Sequence, residues 1–221
     1  MKTIKDLINT EKGRSALVIG AGSSIKKYKD KIWDFIKREG SFVIGINNMT
    51  NFFIPNYHLW TNTERFRSFG QNINKRSNIL LGSNISLKVI KEIIGDREYV
   101  VLNRKDREGV SIGYRNGVIY GYFRTAGCLA IMLSHLMGAS EINIVGMDGY
   151  TMYHHEDLKI GKKSQHCYGE GFTDTASWET CVMKDGLVEN ALNNVKEYGI
   201  DFKILTPTKY GGFYDSTRLH T

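Results

Sequence analysis

The stretch Ser15-Ala-Leu-Val-Ile-Gly20-Ala-Gly-Ser-Ser24, followed by the helically periodic segment Ile25 to Arg38, decides the fold. An apolar run without alternation is how a strand buried on both faces reads, and such strands belong to parallel sheets. The glycines that end it predict a tight turn into a helix, the opening unit of a doubly wound α/β domain.

The same unit recurs outward along the chain. Ser41–Ile46, Tyr57–Trp60, Asn78–Leu81 and Tyr99–Leu102 read as further short strands, with helical segments around several of them. Between Val110 and Tyr122 the residues alternate around Arg115-Asn116-Gly117, and Asn-Gly between apolar runs predicts a hairpin, here an excursion from the main sheet. Ala126–Met137 reads as a helix, Glu141–Val145 as a strand, Trp178–Tyr198 as a helix and Asp201–Leu205 as a closing strand. Residues 149–177 lack sustained periodicity and read as a long lid-like loop, a length that in a compact domain marks function or disorder. The expectation is one Rossmann-like α/β domain over residues 1–221, with a mostly parallel sheet, right-handed crossovers and helices on both faces.

Bulk composition narrows the class. The 221 residues are 41% hydrophobic and 24% charged, with two prolines and no long polar tract, which fits one enlarged domain without a linker. Cys128, Cys167 and Cys181 are odd in number and widely spaced, so free thiols in a reducing, cytoplasmic setting are expected. The start, Met1 to Arg14, is polar rather than an apolar leader, and no run approaches the ~20 apolar residues of a membrane span. A net charge of +7 favours polyanions in general. No nucleic-acid motif accompanies it, and Lys26, Lys27, Lys29 and Lys31 with Asp30 read as a solvated helix face.

In an open parallel sheet the ligand crevice lies beyond the carboxyl ends of the strands. Those ends are polar here: Gly20-Ala21-Gly22-Ser23-Ser24, Asn47-Asn48, Thr61-Asn62 and Gly146-Met147-Asp148. The glycine turn either brings backbone N–H groups to a phosphate at a helix N-terminus or packs strand tightly against helix with Ser23 or Ser24 as cap. Ile25 stands where a dinucleotide fingerprint has its third glycine, and Asn47 and Asn48 stand where it has an acid, which disfavours an NAD enzyme. A P-loop ending is absent as well. Asn47 and Asn62 offer neutral donors and acceptors for a base, a sugar or a phosphate. Asp148, Tyr150, Tyr153, His154, His155 and His166 gather hydroxyl and titratable groups after the late strand. His166 suits a general base. A metal reading uses Asp148 with His154.

This order of motifs resembles the family 42 glycosyltransferases, bacterial sialyltransferases of GT-A type that use a CMP-activated sugar. Gly20-Ala21-Gly22-Ser23-Ser24-Ile25-Lys26 looks like their opening turn, and Asn47 and Asn62 match asparagines after their second and third strands. Thr125-Ala126-Gly127, Gly146-Met147-Asp148-Gly149-Tyr150, Ser164-Gln165-His166 and Phe202 to Pro207 resemble later segments. Nearly the whole chain is covered, although Ala21 stands where members carry asparagine and Arg124 lies one position from their acceptor-side arginine.

The resemblance implies an inverting, metal-independent transfer of an acidic sugar from a CMP-sugar to a glycan or small-molecule acceptor in surface polysaccharide or lipooligosaccharide synthesis. It implies no cofactor beyond the donor, and a cytoplasmic enzyme peripheral to the inner membrane. His166 would take the acceptor proton, Tyr150 and Tyr153 would hold the departing phosphate, and Arg124 would face the acceptor. The chain also resembles pterin pyrophosphokinase-like domains associated with flagellin glycosylation. On that reading Mg²⁺ at Asp148, helped by His154 or His155, would serve diphosphate transfer from ATP. A non-catalytic nucleotide- or sugar-binding module is the third reading. Whether the chain forms a homo-oligomer is open.

Overall fold

A computed structural model describes residues 2–49, 51–152, 166–167 and 177–220. Eight parallel strands form the central sheet: β1 (Lys2–Thr3), β2 (Ser15–Ile19), β3 (Phe42–Ile46), β4 (Tyr57–Trp60), β5 (Asn78–Gly82), β6 (Tyr99–Leu102), β10 (Glu141–Val145) and β11 (Lys203–Ile204). Their spatial order is β1-β6-β5-β4-β3-β2-β10-β11. The chain therefore steps outward from β2 to β6 on one side and restarts at β10 on the other. That reversal between β2 and β10 is the topological switch point, where the loops leaving neighbouring strands part and open a crevice.

The hairpin expected between Val110 and Tyr122 is formed by β8 (Gly113–Arg115) and β9 (Val118–Gly121), and β7 (Arg104–Asp106), which precedes that stretch, pairs with β9 to make a separate three-stranded sheet. Asn116 and Gly117 have φ of 53° and 81°, the paired positive values that let a two-residue turn follow the strand twist.

Helices cover both faces. On one lie α1 (Ser24–Lys27), α2 (Lys29–Glu39), α3 (Thr63–Phe69) and α4 (Leu87–Ile94); on the other lie α5 (Ala126–Leu136) and α6 (Trp178–Glu197), and α7 (Thr217–His220) packs beside α2. The reason is visible in α5, where Gly127 through Ser134 are all buried. A helix apolar all round must be enclosed, and α5 lies between the sheet and Val188, Ala191, Leu192 and Val195 of α6.

Four details differ from the sequence expectation. The polar start supplies an edge strand, Lys2 and Thr3 pairing with Val100 and Val101 of β6. The first helix is interrupted at Tyr28 (φ −102°, ψ 13°). The closing strand pairs only over Lys203–Ile204. Ser23 makes no side-chain cap, so neither serine caps as expected, and Ser24 turns to Asp148 instead. No disulfide joins the three buried cysteines. Among the described residues, no helix is long and apolar enough to cross a membrane.

Candidate functional site

The crevice at the switch point is a cleft of about 270 Å³, close to the ~300 Å³ lower bound of small-molecule sites. Each wall begins at a strand end. After β2 the chain contributes Gly20, Ala21 and Gly22; after β3, Asn47; after β4, Thr61 and Asn62; and after β10, Gly146 to Tyr150. The N-terminus of α5 adds Arg124, Thr125, Ala126 and Gly127, and His166 lines the cleft as well. Of the residues singled out from sequence, Ser23 and Ser24 lie off the cleft lining. Tyr153, His154 and His155 lie outside the described residues.

The glycine turn has a structural reason. A Cβ on Gly20 would sit 2.4 Å from the Gly146 carbonyl oxygen, and one on Gly22 would sit 2.5 Å from the Asp148 carboxyl carbon. The ends of β2 and β10 cross this closely because Gly20 N–H donates to Val145 and Gly22 N–H to Gly146, each at 2.8 Å. The tight-packing reading of the turn is therefore present in the structure, and the same backbone also forms one wall of the cleft.

Asp148 closes the crossing. Its carboxylate accepts from the Ser24 N–H at 2.8 Å and the Ser24 hydroxyl at 2.5 Å. Burial pushes its acid up to about 6, against the opposing pull of those two donors. With both oxygens so engaged, Asp148 braces the turn rather than offering a vacant ligand. Among the described residues no group of three His, Cys, Asp or Glu side chains is arranged to hold a metal ion.

The other side chains are positioned by local devices. Asn47 is left-handed at φ 55°, a conformation asparagine tolerates better than most residues. Its carbonyl accepts from Nε2 of the buried His58. Desolvation holds His58 down to about 4, so the ring is neutral and donates from Nε2. Asn62 caps α3 by accepting from the Arg65 N–H at 2.9 Å, which sets Arg65 in the first turn. Thr125 caps α5 by accepting from the Cys128 N–H.

Arg124, between β9 and α5, has φ 56°, and the Thr125 N–H donates across it to the Phe123 carbonyl. That is a γ-turn of the strained hand. Its Nε is buried and has no hydrogen-bond partner among the described residues. Backbone strain and an unmet buried donor thus coincide in one wall of the cleft.

Three residues escaped the sequence reading. Arg65 lines the cleft, and its Nη2 lies 3.1 Å from His166 Nε2. Asp185 of α6 is buried and accepts from the Tyr150 and Thr151 N–H groups, the Thr151 hydroxyl and the Tyr210 hydroxyl at 2.7 to 3.0 Å. Tyr210 lines the cleft beside it, its phenol pushed up by burial and then by the Asp185 carboxylate. Arg65 and Asp185 sit in helices, where a charged residue reads as a solvated face. Only the Asn62-x-x-Arg65 spacing hinted that Arg65 opens a helix at a strand end.

Electrostatically the cleft is cationic. Burial raises the Tyr150 phenol, and Arg124, Lys184 and Arg65 pull it the other way. Lys184 Nζ stands 5.4 Å above the Tyr150 ring. His166 is held by backbone: it forms an antiparallel bridge with Gly22, and the Cys167 N–H donates to Ala21 at 2.8 Å. The arrangement can bind an anion at the α5 N-terminus, where free N–H groups and the macrodipole favour negative charge, with an imidazole alongside. Comparison with models of known protein families finds no match for the chain, and comparison with curated proteins finds none either.

Proposed function

We propose that the protein is a metal-independent, inverting glycosyltransferase, moving an acidic sugar from a CMP-sugar to a hydroxyl of a glycan or small-molecule acceptor. One observation carries the reading: His166, Tyr150, Arg65 and Arg124 line one cleft at the switch point of the sheet. The nucleotide lies along the Gly20–Gly22 turn, with Asn47 and Asn62 against base and ribose. Its phosphate sits toward the α5 N-terminus, Arg124 and the Tyr150 hydroxyl.

The chemistry follows from that placement. His166 Nε2 takes the acceptor hydroxyl proton as the oxygen bonds to the anomeric carbon. The bond from that carbon to the phosphate oxygen breaks on the opposite face, and CMP leaves with the bonding pair. Arginine and tyrosine donors aimed at the leaving phosphate stabilise its developing charge in place of a cation. Synthesis of a surface polysaccharide or lipooligosaccharide at the cytoplasmic face of a membrane is the setting in which such a donor and acceptor meet.

The test is CMP release from a CMP-linked acidic sugar with glycan acceptors in the presence of a chelator. Turnover should fall ~10²–10⁴-fold in His166→Ala; undiminished turnover would remove His166 from the mechanism. A diphosphotransferase would instead convert ATP to AMP with Mg²⁺, which requires Asp148 to give up Ser24. CMP bound but never turned over would make the chain a binding module.

A further inference from the structure

We infer that His58 is a positioning residue for the cleft, holding Asn47 beside Asn62 so that the two amides grip the nucleoside part of the ligand. The inference rests on the proposed nucleotide reading for the identity of that ligand, but not for the positioning of Asn47.

Asn47 sits in a conformation that has to be held. Its φ of 55° is left-handed, which is unfavourable for a residue with a Cβ. Its N–H donates to the Leu59 carbonyl of β4 at 3.2 Å, and its carbonyl accepts from the Met49 N–H at 3.1 Å and from His58 Nε2. Met49 belongs to the same turn and moves with it. His58 stands instead on β4, in register with Gly45 of β3, and so ties the carbonyl side of Asn47 to the sheet. A carbonyl oxygen only accepts, so Nε2 carries the proton whatever the state of Nδ1.

The imidazole is itself seated by its neighbours. His58, Trp60 and Phe66 are fully buried. The His58 and Trp60 ring centroids lie 4.8 Å apart, and Trp60 meets Phe66 edge-on at 5.7 Å. Phe66 belongs to α3, and its N–H donates at 3.0 Å to the carbonyl of Asn62, the residue that caps that helix. One row of packed rings thus runs from the contact that sets Asn47 to the helical turn that sets Asn62. Both asparagines line the cleft. An amide carries a donor and an acceptor, so the pair suits base edges and sugar hydroxyls. Ionised phosphate oxygens only accept, and are matched by Arg124 and the α5 N-terminus.

The experiment measures binding of CMP, cytidine and inorganic phosphate by calorimetry. It compares the full chain with His58→Leu, His58→Gln, Asn47→Gly and the double variant of His58→Leu with Asn47→Gly, each shown by melting curves to be folded. Leucine fills the space without a donor, His58→Phe does the same where leucine does not fold, and glutamine returns an N–H. CMP and cytidine should bind about five- to tenfold more weakly in His58→Leu and within about twofold of wild type in His58→Gln, with phosphate affinity unchanged. Asn47→Gly keeps the left-handed turn without an amide, so in that background His58→Leu should add no further loss. A second arm needs no ligand: in isotope-labelled protein, the NMR couplings that report φ of Asn47 should leave left-handed values in His58→Leu and return to them in His58→Gln. A wild-type chain that binds neither CMP nor cytidine would reject the nucleotide, and the couplings alone would then decide the positioning. Unchanged couplings in His58→Leu would overturn the inference. So would a loss of affinity that persists in the Asn47→Gly background or extends equally to phosphate.

Discussion

Ser24 gives both its N–H and its hydroxyl to the two oxygens of Asp148, 124 residues further along the chain. This double bond of contacts joins the end of β2 to the end of β10 at the point where the sheet reverses direction. Ser24→Ala removes one donor from a buried carboxylate and should cost about 1–2 kcal/mol near neutral pH. Because the lost bond favours the ionised acid, the loss should be smaller at pH 4.5 than at pH 7.5. Urea unfolding at the two pH values reads the difference; equal losses would mean that Asp148 does not change its charge in the folded protein between pH 4.5 and 7.5.

Asp148 and His58 should set opposing slopes of stability with pH. Asp148 is raised from 3.8 to about 6, so its contribution is full below about 4 and is lost as pH rises through 6. His58 is lowered from 6.5 to about 4, so its contribution is present above 6.5 and is lost as pH falls through 4. Each shift is on the order of 3 kcal/mol at full extent, and between roughly pH 4 and 6.5 the two nearly cancel. His58→Gln, which keeps a donor for Asn47, should leave stability falling as pH rises across this window. Asp148→Asn should leave it falling as pH drops. Denaturation midpoints at half-unit pH steps separate the two slopes, and variants that follow the wild-type profile would contradict the assignment.

Glycine substitutions should divide by location. Gly20→Ala puts a methyl 2.4 Å from the Gly146 carbonyl oxygen, and should destabilise by about 1–3 kcal/mol. Gly186, exposed in the middle of α6, has nothing within 4 Å of a built Cβ. Gly186→Ala should therefore stabilise by about 0.5–1 kcal/mol through helix propensity alone. Paired melting curves decide; a neutral Gly20→Ala would mean that the strand ends do not approach as described.

The strands were legible because parallel strands buried on both faces leave unbroken apolar runs, as in Ala16 to Ile19. The Asn116-Gly117 turn was legible because few other residues accept two successive positive φ values. Lys2–Thr3 was not, since a two-residue polar edge strand is specified by the β6 edge it meets rather than by its own residues. The cleft followed from a rule about strand ends, so Gly20 to Gly22, Asn47, Asn62 and Asp148 came from position alone. Arg65 and Asp185 did not, because their inward direction depends on packing between elements far apart in sequence. Even Asn62 carried two signals in one residue, a strand-end polar group and a helix cap.

Asp185 should be the least replaceable polar residue away from the cleft lining. Its carboxylate receives Tyr150, Thr151 and Tyr210, and Gly149 with φ 97° packs against it. Asp185→Asn turns an amide donor toward donors and should cost about 2–3 kcal/mol. It should also loosen Tyr150, so CMP binding should weaken even where the variant remains folded. Thermal unfolding together with calorimetric titration of the folded variant checks both effects; wild-type affinity would dissociate Asp185 from the site.

The central claim is that the switch-point cleft receives a nucleotide phosphate. Titrating ¹⁵N-labelled protein with CMP in the presence of a chelator tests it most directly. Saturable amide shifts should concentrate at Gly22, Asn47, Asn62, Ala126, Gly127 and Tyr150, and Arg124→Ala should weaken them together. Absence of saturable shifts, or shifts centred on the β7-β9-β8 sheet or the outer face of α6, would contradict it.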